Sequence, residues 1–265
     1  MQISQRVFLV TGSGNGIGRE VALALLAKGA RVAGADLSAE GLAETARLAG
    51  AGDRFSTHLL DVSDLAAVEG VVAAVIEAHG HLDGLVNVAG IIQPFVAVKD
   101  LDRRVIETVM AVNFWGVVNT TTTALPLLLA RPEAAILNVS SMGAFVAVPG
   151  QTLYGASKAA VSQFTAGLQA ELRDTGVQVC LVMPGGVATA IAENSGADTQ
   201  VMDAADAPMQ LTSPAEAARQ IVEGIEKGSQ RVLIGKDAKA LDWLTRLMPT
   251  RANALVAKKL ASLVE

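Results

Sequence analysis

Tyr154 and Lys158 stand four residues apart in Leu153-Tyr154-Gly155-Ala156-Ser157-Lys158. On a helix that spacing puts a phenol and an ammonium one above the other on one face. A free phenol titrates near pH ~10 and carries protons poorly at neutral pH. A neighbouring cation favours the phenolate and lowers that value, so the pair reads as a tuned general acid/base. Ser141 lies thirteen positions upstream of Tyr154, at the end of an apolar run.

A second group of residues gives this pair something to act with. Val10-Thr11-Gly12-Ser13-Gly14-Asn15-Gly16-Ile17-Gly18 follows the first apolar run and opens the first helical one. Glycines let a backbone approach a ligand closely, and a helix amino terminus offers free N–H groups to a pyrophosphate. The spacing is Gly-x3-Gly-x-Gly through Gly12, Gly16 and Gly18, with Ile17 where a Gly-x-Gly-x-x-Gly loop would need its last glycine. Asp36 closes the second apolar run, 18 residues beyond Gly18. An acid there accepts hydrogen bonds from ribose hydroxyls and repels a 2′-phosphate. Leu37 and Ser38 follow it, and Asn15 rather than a basic residue precedes Gly16. These features favour NAD over NADP.

The elements that must position these groups alternate. Runs rich in Val, Ile and Leu predict strands over 7–10, 31–35, 55–60, 84–88, 135–139, 178–182 and 231–234. Helical patterns fall over 17–28, 39–49, 64–78, 101–129, 153–174 and 214–227, with end signals at Ser63, Ser213 and Gly29. Strict β–α alternation predicts a parallel sheet with helices on both faces, a doubly wound α/β fold. The 265 residues suit a single domain, and 51% apolar residues supply a large core. A net charge of −5 argues against a nucleic-acid partner. The lone Cys180 excludes an intrachain disulfide and reads as a small buried strand residue. No apolar run reaches the ~18 residues of a membrane span, and no signal peptide is evident, so the expected location is cytoplasmic. Residues 187–212 read as a lid over a binding site, and about 237–265 as an amphipathic tail. The tail could dock on the core, meet a partner chain or lie on a membrane surface.

Three further pieces complete a pattern: Asn87-Val88-Ala89-Gly90, Asn113 in Ala111-Val112-Asn113-Phe114, and Pro184-Gly185. In order and spacing over about the first 235 residues, the chain resembles the short-chain dehydrogenase/reductase family. The resemblance implies a Rossmann-like three-layer sandwich with a doubly wound seven-stranded parallel sheet and a bound nicotinamide cofactor. Matched by motif, Tyr154 would be the catalytic acid/base and Ser141 would hold the substrate oxygen. Lys158 would bind the nicotinamide ribose and depress the Tyr154 pKa, and Asn113 would hold a water in a proton relay. Gly12, Ser13, Asn15, Gly16, Ile17 and Gly18 would cradle the pyrophosphate, with Asp36 and Leu37 at the ribose. Asp61 and Val62 would meet the adenine, Asp61 through its side chain. Asn87, Ala89, Gly90, Pro184, Gly185 and Val187 would flank the cofactor, and Thr189 would bond the carboxamide. Ser140 competes with Ser141, which the thirteen-residue spacing favours. Val88 stands where the family commonly has a second asparagine and is expected to face the sheet–helix core. The threonines at 120–123 are unusual in a helix.

The substrate pocket is expected to use Gln93, Phe95, Ser141, Phe145, Gln151, Leu153 and Tyr154, with Ile191, Val201, Met202, Met209 and Leu211 from the lid. Few charges converge there. The expected reaction is NAD-dependent interconversion of a largely apolar secondary alcohol and its ketone. An NADPH-linked 3-oxoacyl-carrier-type reductase and a non-catalytic NAD-sensing protein are the alternatives. His58, His79 and His81 lack metal-ligand spacing, no Gly-x-Ser-x-Gly elbow is present, and no metal is expected. The helices over 101–129 and 153–174 are expected to pack against another subunit in a homodimer or homotetramer.

Overall fold

The computed structural model describes residues 1–189, 191–195 and 211–259. Strands β1 (Val7–Thr11), β2 (Arg31–Asp36), β3 (Phe55–Leu59), β4 (Gly84–Asn87), β5 (Ala134–Val139), β6 (Val177–Pro184) and β7 (Arg231–Ile234) form one sheet. All pairings are parallel, in the order β3-β2-β1-β4-β5-β6-β7. The chain winds outward from β1 to β3, then returns to lay β4 beside β1. That reversal opens a crevice beyond the carboxyl ends of β1 and β4.

Among the described residues, ten α-helices surround the sheet: α1 (Gly16–Ala27), α2 (Ala39–Ala49), α3 (Leu65–His79), α4 (Arg103–Met110), α5 (Gly116–Leu129), α6 (Thr152–Glu171), α7 (Ile191–Asn194), α8 (Pro214–Lys227), α9 (Lys236–Leu247) and α10 (Pro249–Lys259). β1, β4 and β5 are buried at every position, as strands covered on both faces must be. Alternation divides their side chains between two cores. Phe8 and Val10 pack with Leu25 of α1 and Ile221 of α8. Val7 and Leu9 pack with Val72 of α3, Leu128 of α5 and Leu168 of α6. Cys180 is buried in the first core, which raises its thiol pKa to about 12.

The predicted strands fall where expected, but two helix readings change. The single helix expected over 101–129 is two helices joined by a π-helical turn, Ala111–Trp115, because the Asn113 side chain is tied into the loop after β4. The α3 cap is Asp64, not Ser63: its carboxylate accepts from Ala66 N at 2.9 Å and Ala67 N at 3.2 Å. Ser213 does cap α8, accepting from Glu216 N at 3.2 Å. The expected tail folds as α9 and α10. Of the expected lid, Val201, Met202 and Met209 lie outside the described residues. Its flanks meet in a parallel bridge between Val187 and Thr212.

At the amino ends of the strands lies a buried ion cluster. Asp83 is 0% exposed. It accepts from Val7 N at 2.9 Å, Arg6 Nη1 at 3.2 Å and Arg131 Nε at 2.9 Å, with His81 Nε2 at 3.0 Å. No described helix is long and apolar enough to cross a membrane.

Candidate active site

The crevice is a cavity of about 510 Å³. Asp36, Leu37, Leu60, Asp61 and Val62 border one end, and Ser141, Tyr154 and Lys158 the other. Gly12, Asn15, Gly16, Ile17 and Gly18 line it, as do Ala89, Gly90, Pro184, Gly185, Val187 and Thr189. These are most of the residues assigned to a dinucleotide from the sequence.

The glycine loop packs tightly because it has no room for side chains. Gly12 has φ +71°, and a Cβ there would sit 2.8 Å from Ala89 N. A Cβ on Gly18 would strike the Gly12 carbonyl oxygen, so loop and helix close only through glycine. Beneath the loop, Ser13 is buried with its hydroxyl directed to Ala35 O. It supports the loop and does not line the cavity, contrary to its expected role. Asp36 Oδ2 accepts from Gly14 N at 2.8 Å and Oδ1 from Ser38 N at 2.9 Å, fixing the carboxylate at the crevice edge. Arg19 is tied to Gly14 O and to Thr45 Oγ1. Asp61 Oδ1 accepts from the backbone and hydroxyl of Ser63.

At the other end, β5 delivers Ser141 and α6 delivers Tyr154 and Lys158. Ser141 opens a short 3₁₀ turn, Met142–Ala144, with its Oγ accepting from Gly143 N at 3.1 Å. Lys158 is 3% exposed; its Nζ donates to Val139 O at 3.1 Å and lies 5.9 Å from the Tyr154 ring centre. No carboxylate pairs with it among the described residues, and burial brings its pKa down to about 8. The expected lowering of the Tyr154 pKa is not found. Burial raises it, with the Ser141 hydrogen bond pulling the other way. The ammonium faces the Val139 carbonyl, and desolvation of the phenol dominates. Ser140 borders the crevice too, but its hydroxyl bonds Lys158 O and Ser162 Oγ, anchoring α6.

Several assigned residues serve the frame. Asn113 is fully buried. Its Oδ1 accepts from Ile91 N at 2.8 Å, and its Nδ2 donates to Ile91 O and Ser157 Oγ. These bonds join the β4 loop to α6. Asn87 does not line the crevice. It donates to Asn138 Oδ1 at 2.9 Å and accepts from Thr120 Oγ1 at 2.8 Å, in a buried polar set that includes Thr121 and Thr165. This accounts for two of the helical threonines. Val88, expected in the core, borders the cavity as well as packing against the core.

Gln93 and Gln151, assigned to the substrate, are also buried. Gln93 Oε1 accepts from Leu153 N at 2.8 Å and Tyr154 N at 3.1 Å, while its Nε2 donates to Gly150 O at 2.7 Å. Gln151 Nε2 returns to Gln93 O at 2.7 Å. A glutamine sixty residues away thus caps the helix that carries Tyr154, satisfying N–H groups that have no partner within the helix. Phe95, Phe145 and Leu153 are partly exposed but do not line the cavity. Ala35, Ser38, Leu60, Ile91, Val112 and Val139 line it without a signal in the sequence, and Ile191, expected in the substrate pocket, lines it too.

The chain matches the family model for short chain dehydrogenases over residues 6–200. It is 40% identical to SadH of Mycobacterium tuberculosis over 264 residues, covering 97% of this chain and 95% of that protein. A short chain dehydrogenase of Burkholderia cenocepacia in complex with NADP has a TM-score of 0.82 at 27% identity, covering 97% of this chain and 99% of the other. A Burkholderia phymatum member in complex with NAD has a TM-score of 0.79 at 26% identity, covering 88% and 90%.

Proposed function

Because the chain belongs to the short-chain dehydrogenase/reductase family and is an oxidoreductase, we propose that it interconverts a largely apolar secondary alcohol and its ketone with NAD as cofactor. The observation that carries this reading is the continuous crevice with Asp36 at one end and the Ser141, Tyr154 and Lys158 groups at the other. A nicotinamide cofactor bound there supplies the ring that accepts or donates hydride. The glycine loop would hold its pyrophosphate, Asp36 its adenosine ribose and Thr189 its carboxamide. Lys158, with one protein acceptor recorded, has N–H donors left for the second ribose.

Near neutral pH the raised Tyr154 pKa keeps the phenol protonated, the form needed to donate. In reduction, Ser141 and Tyr154 hydroxyls bond the substrate oxygen as it gains charge, and Tyr154 delivers the proton. In oxidation Tyr154 takes the alcohol proton, and a nearby positive charge favours the phenolate it becomes. Val88, Ile91, Val139, Val187 and Ile191 give the neighbouring wall an apolar character, which supports a neutral substrate. Trp115, 55% exposed, and Leu129, 46% exposed, offer apolar surface on the 103–129 segment for another copy of the chain, which supports a homodimer or homotetramer.

The test is a panel of alcohols and ketones followed by nicotinamide absorbance with NAD and NADP, with Tyr154→Phe as control. Turnover of neutral carbonyls with NAD, lost in the variant, is the expected result. A preference for acyl thioesters with NADPH would reject the substrate and cofactor assignments. Equal NAD binding by both forms without turnover would mark a sensor.

A further inference from the structure

The last two helices carry a surface unlike the rest of the chain. Residues 236–265 hold six of the 21 basic and three of the 26 acidic residues, leaving 15 and 23 for the remainder. A net-positive tail therefore sits on a net-negative molecule. On α9 the exposed positions include 236, 239, 240, 243, 246 and 247, and on α10 they include 251, 254, 255 and 258. This is the i, i+3, i+4 recurrence of one helix face. Lys236, Lys239, Arg246, Arg251 and Lys258 supply its charge. Trp243 is 64% exposed, Leu247 59% and Leu255 60%. No acid shares the stripe: Asp237 bonds Gly186 N, and Asp242 pairs with Arg231 and Arg246.

We propose that the exposed face of α9 and α10 docks on an anionic lipid bilayer, the helices lying in its interfacial plane. Basic side chains meet anionic headgroups while Trp and Leu enter the acyl boundary. Charge complementarity selects this occupant over a second copy of the chain. An isologous contact would set the same five bases against themselves. The inner side of the helical pair touches the site: α9 packs against the Met142–Ala144 turn, and Asn253 Oδ1 accepts from Ala147 N at 3.1 Å. Docking would thus bring the loops beside Ser141 toward a phase in which apolar alcohols and ketones dissolve.

The experiment uses the full chain without substrate, so its outcome is independent of the proposed chemistry. Sedimentation is measured with vesicles of phosphatidylcholine alone and of phosphatidylcholine with phosphatidylglycerol. Binding only to the anionic vesicles, falling with added salt, is expected. In a Trp115→Phe background, Trp243 emission should shift to the blue on binding. Trp243→Ser, and the pair Arg251→Gln with Lys258→Gln, should each weaken binding on the order of tenfold with unchanged thermal melts. No binding, or equal binding to both vesicles, would overturn the proposal. So would a Trp243→Ser variant that keeps vesicle binding but changes its mass in solution, which would assign the face to a second copy.

Discussion

The two ends of the sheet both bury charge, and they treat it in opposite ways. At the amino ends, Asp83 is surrounded by Arg6, Arg131, His81 and a backbone N–H. At the carboxyl ends, Lys158 has one carbonyl acceptor and no carboxylate among the described residues. Burying a charge is costly unless it is paired and hydrogen-bonded. The paired end holds strands and helices together. The under-paired end keeps an ammonium whose proton is loosely held and whose remaining N–H groups are available to a ligand. Function resides where satisfaction is incomplete.

Tyr154→Phe should separate the ends most sharply. Turnover should fall by at least about 10²-fold with an unchanged melting temperature, measured by steady-state absorbance and calorimetry. Asp83→Ala should do the reverse. Breaking a buried pair costs about 3 kcal/mol, at the low end because the partners are partly exposed. The melting temperature should drop by on the order of 10 °C, while turnover per folded molecule holds. Gln93→Ala should lie between, costing about 1 kcal/mol as a lost cap. It should also lower kcat about tenfold through a misplaced phenol; an unchanged kcat would limit Gln93 to stability.

A further contrast concerns pH. Lys158 titrates at about 8 in the folded protein against 10.5 as a free group. Between those values the unfolded chain binds more protons, so stability rises with pH. The penalty is fully present below pH 8 and is relieved as pH climbs toward 10.5. Denaturant titrations of the parent and Lys158→Met, compared across pH 8 to 10, should show that rise in the parent only. Lys158→Met should be at least as stable at pH 7 and much less active.

Much of this division could be read from the sequence. The glycine loop, Asp36, Ser141, Tyr154 and Lys158 all meet at one crevice because strand ends and helix starts set their positions locally. What escaped were contacts made across the fold. A polar residue in a loop looks the same in sequence whether it lines a pocket or caps a distant helix; Gln93 does the latter, and Gln151 bonds Gln93 O. The Asn87 and Thr120 side chains are linked only once β4 and α5 pack. The direction of the Tyr154 shift depends on burial, which the Tyr-x3-Lys spacing does not report. The wide turn at Ala111–Trp115 has no periodic signature, since the apolar pattern on either side continues.

That wide turn stores a surplus residue inside what would otherwise be one cylinder. Each residue in an α-helix advances the face by about 100°, so the surplus sets the phase between α4 and α5. With it, Val109 points into the protein on one side and Thr120 reaches Asn87 on the other. A single deletion there would leave composition almost untouched. It would also force a choice between the two faces, swinging one of them out of alignment with the sheet.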